Sequence, residues 1–235
     1  MTDVNALIAA NAKRWANARL TRNFATVAHR LVAREAKARY QAVTSKTGVP
    51  WAVIAVIHER ECSQDWTGAL AQGDPWNKVS VHVPAGRGPF RSWEEAAIDA
   101  LVHCAPYAAR NKDWSVGRLL TKLEEYNGLG YAARGRPSPY VWSGTDQYKS
   151  GKYVRDGVYD ANVVDGQLGC AGLLMAMMAL DPTIALAGSK VLAPAPPSAT
   201  PASAEVVTPS IINPSKGAIG AFIADVLTAI FRRKS

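Results

Sequence analysis

Apolar residues recur at helical spacing along most of the chain, which predicts a mainly α-helical protein. Residues 3–20 and 24–46 predict two helices. In the second, Phe24, Val27, Leu31, Val32, Ala36, Tyr40 and Val43 follow one stripe, and Asn23 suits the N-cap. Gly48 breaks the pattern, and Pro50 then suits the first turn of a new helix. That helix carries Trp51, Val53, Ile54, Val56 and Ile57, so it belongs at the centre of a core. It runs directly into His58-Glu59-Arg60-Glu61-Cys62-Ser63.

The period changes between residues 73 and 90. Val79, Val81 and Val83 alternate with Ser80 and His82 before the turn-forming run Pro84-Ala-Gly-Arg-Gly-Pro89, which predicts a short strand or hairpin. Ser92 and Glu95 form a capping box at the start of a helix to about Cys104. A further helix is expected from about Ser115 to Asn127, ended by Gly128. Residues 128–160 predict a long loop region, dense in Gly, Pro and aromatics, of the kind that carries function. The last core helix spans about 165–180, and its Met177 and Met178 read as core filler.

Residues 182–216 are rich in Pro, Ala, Ser and Thr, as in an extended linker. After Gly217, Ile219, Phe222, Ile223, Val226, Leu227 and Ile230 share one stripe, followed by Arg232-Arg-Lys234. The segment 217–235 is shorter than the ~20 apolar residues of a spanning helix. Its basic end suits membrane-surface docking or self-association, and packing back onto the domain is the alternative.

Composition narrows the class. The 235 residues are 48% hydrophobic and 20% charged, enough for one sizeable core with accessory ends. The net charge is +8, and residues 1–46 hold nine Lys or Arg against only Asp3 and Glu35. Such a segment is either a solvated helix face or a surface for an anionic polymer or membrane. No zinc-finger spacing, RNP-like aromatic motif or helix-turn-helix pattern points to nucleic acid. Cys62, Cys104 and Cys170 are odd in number and widely spaced, so neither a disulfide framework nor a zinc site is expected. A Cys62/His58 nucleophile is a minor alternative. The N-terminus lacks the apolar core of a secretory signal, so synthesis in the cytoplasm is expected.

The chemistry-bearing candidates are carboxyls. Glycoside cleavage needs a protonated acid at the leaving oxygen, and an apolar setting raises a carboxyl's pKa enough to supply one. Glu59 and Glu61 both stand at the end of the apolar helix, and Asp74 follows in Gly73-Asp74-Pro75. Asp74 is either a second carboxylate across a cleft or an ordinary turn residue.

The segments Arg60-Glu61-Cys62-Ser63, Gly73-Asp74-Pro75, Val81-His-Val-Pro-Ala-Gly-Arg87, Leu123-Glu-Glu-Tyr-Asn-Gly128, Ser138-Pro-Tyr-Val-Trp142 and Gly151-Lys-Tyr-Val154 carry a resemblance. In their order and spacing, across residues 48–180, the chain resembles the lysozyme-like superfamily. Within it, the likeness is to phage and prophage endolysin-type proteins related to goose-type lysozymes and lytic transglycosylases. Cys62 replaces the usual Ser, and the transglycosylase Gly-Leu-Met-Gln segment is missing.

The resemblance implies a lysozyme-like α+β domain over 47–181, with a small β-hairpin and with the basic helices of 1–46 packed on it. It implies a muramidase acting on peptidoglycan glycan strands without metal or organic cofactor, Glu61 being the acid in preference to Glu59. Asp74, if catalytic, positions or activates water. By the same resemblance, Tyr126 and Asn127 would lie near the cleaved bond, and Tyr140 and Trp142 would line the saccharide cleft. A lytic transglycosylase, a chitinase- or chitosanase-like glycosidase and a non-catalytic wall-binding protein are the alternatives. The site of action would be the cell wall, reached after release.

Overall fold

The structure, a computed structural model, describes residues 2–155 and 157–188. It is mainly helical with one small antiparallel hairpin. The helices are α1 (Val4–Asn17), α2 (Ala25–Val32), α3 (Arg34–Thr47), α4 (Trp51–Cys62), α5 (Trp93–His103), α6 (Val116–Tyr126), α7 (Gly130–Ala133), α8 (Pro139–Trp142) and α9 (Cys170–Leu180). The hairpin is β1 (Lys152–Arg155) with β2 (Val158–Asp160). The expected amphipathic tail, and the linker from residue 189 on, lie outside the described residues. Among the described residues, no helix is long and apolar enough to cross a membrane.

Helix α4 is the axis. Every side chain from Ala52 to His58 is buried, and α3, α9, α2 and α6 pack around it. Its apolar run is continuous because no face of it meets solvent. Helix α1 lies along α6 at very close range: a Cβ on Gly117 would come within 2.6 Å of the Ile8 carbonyl oxygen. Any larger residue at 117 would push the two helices apart.

Three sequence expectations change. The stretch 24–46 is two helices, not one, broken at Ala33, whose extended backbone (ψ 140°) turns the chain. Helix α9 starts at Cys170 rather than near 165, because residues 165–169 are held in a loop. There the Asp165 carbonyl accepts from Ser143 Oγ at 3.0 Å and its amide donates to Tyr148 Oη at 3.1 Å.

The third change concerns the hairpin. Residues 79–83 form no strand, and the hairpin lies at 152–160, within the expected loop region. The amides of Val81 and His82 both donate to the Asp74 carboxylate at 2.9 Å, and Ser80 N bonds Arg87 O at 2.8 Å. The backbone groups that a ladder needs are therefore committed locally. The valine alternation faces solvent, with Val81 77% exposed. The capping box forms with a shift: Ser92 Oγ accepts from Glu95 N at 3.1 Å, while Glu95 Oε2 accepts from Arg91 N at 2.8 Å.

The α1–α6–α8 junction is a buried polar knot. Asn11 Nδ2 donates to Thr121 Oγ1 (3.2 Å) and Glu124 Oε2 (3.3 Å), and Asn11 Oδ1 accepts from Trp142 Nε1 (3.2 Å). Glu124 Oε1 has no partner. Burial pushes this carboxyl up to about 7, against Asn11 and Arg14, which favour the anion. A carboxyl raised in the folded state binds its proton more tightly there than in the unfolded chain. Its contribution is therefore intact below about 4.5 and is lost as pH rises through about 7. Glu124→Gln should flatten this fall, which amounts to about 3 kcal/mol at most. Urea melts at pH 5 and pH 8 check it: an undiminished difference in the variant would remove Glu124 as the source.

Candidate active site

Helix α4 delivers Glu61 by ending abruptly just after it. Ser63 and Gln64 both adopt left-handed backbone (φ 54° and 58°), which is costly for residues with a Cβ. The Ser63 and Gln64 amides cap the helix by donating to the carbonyls of Glu59 (2.9 Å) and His58 (3.2 Å). Gln64 is held in this conformation by its side chain. Its Oε1 accepts from Arg30 at 3.0 Å, and its Nε2 donates to Tyr40 Oη at 3.1 Å. Gly73, in left-handed backbone (φ 70°), then brings the next loop back past the Glu61 carbonyl oxygen.

Glu61 is half-buried, and Tyr140 Oη donates to its Oε1 at 2.8 Å. Burial pushes the carboxyl up to about 7, against the Tyr140 hydroxyl and Arg60, which both favour the anion. The negative end of the α4 dipole works in the same direction as burial. Glu61 is therefore protonated to a large extent near neutrality and can donate. Tyr126, the last residue of α6, is buried close by: burial first, then the Glu61 charge, push its hydroxyl up.

Glu59 differs in one respect. Burial raises it too, but Arg30 opposes that from 3.0 Å, as a half-exposed ion pair. It is tied to a cation, and Glu61 is tied to a neutral phenol.

Asp74 is buried and held by three contacts. Oδ2 accepts the Val81 and His82 amides, and Oδ1 meets His82 Nδ1 at 2.6 Å. Burial works against its charge, but the His82 and Val81 contacts outweigh this and hold the carboxyl below the usual range. Asp74 is thus an anion that organises the 78–87 loop. Asn127 caps α6, half-exposed, with its amide on the Glu124 carbonyl at 3.1 Å.

Trp142 does not line a cleft. It is 0% exposed, with its indole N–H on Asn11, and belongs to the core. Tyr140 is buried as well, so what it offers is its hydroxyl on Glu61, not an open ring face. The Cys62/His58 pair does not assemble either. His58 Nε2 must carry the proton, since Asp65 O at 3.0 Å can only accept, and Nδ1 then accepts from Tyr40 Oη at 3.0 Å. Burial lowers this histidine to about 4, and it raises the Cys62 thiol.

No family model, curated protein or solved structure matches the chain.

Three residues of the site escape sequence reasoning. Arg60, next to the acid, is buried and pairs with Asp165 at 3.0 Å, while Lys152 holds the other Asp165 oxygen at 2.9 Å. Arg60 also lies over the Tyr140 ring, 4.7 Å from its centroid. In the sequence, Arg60 reads as one charge among several at a helix end. Among the described residues, no cluster of His, Cys, Asp or Glu could hold a metal ion.

Asp74→Asn should destabilise the loop rather than the site alone, because an amide cannot accept at both positions. The loss should be about 1–3 kcal/mol, with faster proteolysis between residues 78 and 87. Wild-type urea stability and unchanged proteolysis in this variant would mean that the loop does not depend on Asp74.

Proposed function

We propose that the protein is a muramidase that cleaves the β-1,4 bond between N-acetylmuramic acid and N-acetylglucosamine, with Glu61 as general acid. The observation that carries this reading is a half-buried carboxyl raised to about 7 and oriented by a tyrosine hydroxyl at 2.8 Å. A proton held at that value is available for a leaving glycosidic oxygen near neutral pH. The peptidoglycan substrate rests on the resemblance in segments 60–63, 73–75, 81–87, 123–128, 138–142 and 151–154.

In the hydrolytic form, water attacks the sugar opposite Glu61. The three hydrogen bonds on Asp74 leave an ionised carboxylate only about one free acceptor direction for such a water. That engagement favours a second reading, in which the C6 hydroxyl of the muramic acid itself attacks and a 1,6-anhydro end results. The two differ by one water in the mass of the released muropeptides.

Glu61→Gln should lower cleavage of purified sacculi by at least about 10²-fold without change in the far-UV spectrum, and Glu59→Gln should cost far less. Because the acid acts protonated, wild-type kcat/KM should fall as pH rises through about 7. Equal losses in the two variants, or a rate that climbs through that range, would sink the assignment of Glu61.

A further inference from the structure

Glu61 faces few charges. Arg60, Glu59 and Cys62 accompany it on α4; Tyr126 approaches from α6, Tyr140 from α8 and Cys170 from α9. Of these, Arg60 is the cation. It is permanently charged, and it follows the path of the acid's own hydrogen bond by lying over the ring whose hydroxyl holds Glu61. Left alone in a buried site, a guanidinium there would favour the Glu61 anion and take the acid out of its donating form.

The chain does not leave it alone. Asp165 reaches Arg60 Nη2 at 3.0 Å with 2% of its side chain exposed, and Nη1 donates to the Leu168 carbonyl at 3.3 Å. Lys152, on the hairpin, meets the other Asp165 oxygen from a more exposed position, where water screens it. We infer that Asp165 is a positioning residue for the proposed reaction: by neutralising Arg60 it keeps the neighbouring Glu61 in the proton-donating form. The inference rests on the reading of Glu61 as the acid. It adds a residue far along the chain, in a loop, as the setter of the working pH.

The test is the Glu61 carboxyl titration, followed by carbon-13 NMR on the full-length protein without substrate. In Asp165→Asn the midpoint should drop by about one to two pH units, since Arg60 then acts on Glu61 unopposed. The alkaline limb of kcat/KM on sacculi should move down with it. In the double variant Arg60→Gln/Asp165→Asn, with neither charge, the midpoint should return toward the wild-type value. An unmoved midpoint in folded Asp165→Asn overturns the inference, and so does a double variant as low as the single one. A merely structural role would lower the rate without moving either pH value. Should Asp165→Asn not fold, Lys152→Gln at the half-exposed position replaces it. With one cation fewer the Glu61 midpoint should rise by a few tenths, and no rise overturns the inference. Because the midpoint is read without substrate, a shifted midpoint in a protein that cuts no glycan sinks only the proposed function. An unmoved midpoint in an active enzyme sinks only the role of Asp165.

Discussion

A guanidinium sealed inside a helical core requires a carboxylate, and the one that Arg60 finds is 105 residues away, in the loop before α9. Breaking such a pair from one side leaves an uncompensated buried charge, at a cost of about 3–5 kcal/mol. The surroundings of the pair are fixed accordingly. Asp165 also binds Lys152 of the hairpin, and its carbonyl accepts from Ser143, next to α8. Arg22, between α1 and α2, donates to the carbonyls of residues 165–167. The end of α4, the hairpin, α8 and the start of α9 thus meet at one ion pair, and Glu61 sits beside it.

The basic N-terminal segment is partly explained by the same logic. Arg22 clamps the 165–167 loop, Arg30 pairs with Glu59, Lys37 with Asp181 and Arg39 with Glu94. Arg39 also lies over Trp66, 4.0 Å from the ring centroid. These cations join α2, α3 and the chain before α2 to the rest of the protein rather than forming an open face for a polymer. Each exposed pair contributes little alone. Their positions nevertheless tie the basic segment to the rest of the protein at several points.

Sequence periodicity located α4, α5 and α6 to within a residue or two, because each has a local signature. Pro50 precedes α4, the Ser92–Glu95 box opens α5, and Gly128 follows α6. Two of the errors share one physical origin: side chains that take over backbone groups. Asp74 captures the amides of residues 81 and 82 and prevents a strand that the valine alternation predicts. Ser143 and Tyr148 engage the backbone of Asp165 and hold 165–169 out of a helix that the hydrophobic pattern allows. Trp142 illustrates the opposite limit. Aromatics in a Gly- and Pro-rich stretch suggest a sugar-binding surface, yet only the tertiary partner Asn11, 131 positions earlier, shows that the indole is inside.

Among the described residues, three glutamates are raised by burial, so burial alone cannot single out an acid. Glu124 is lifted as far as Glu61, to about 7, but α1 covers it and Asn11 occupies it, so its proton can reach no ligand. Glu59 has access, but its guanidinium partner stabilises the anion. Glu61 alone among the three combines partial exposure with a neutral hydrogen-bond donor. A cation adjacent in sequence works against that combination, and a buried counter-ion offsets it. The capacity to donate a proton therefore depends on where Arg60 spends its charge as much as on where Glu61 sits.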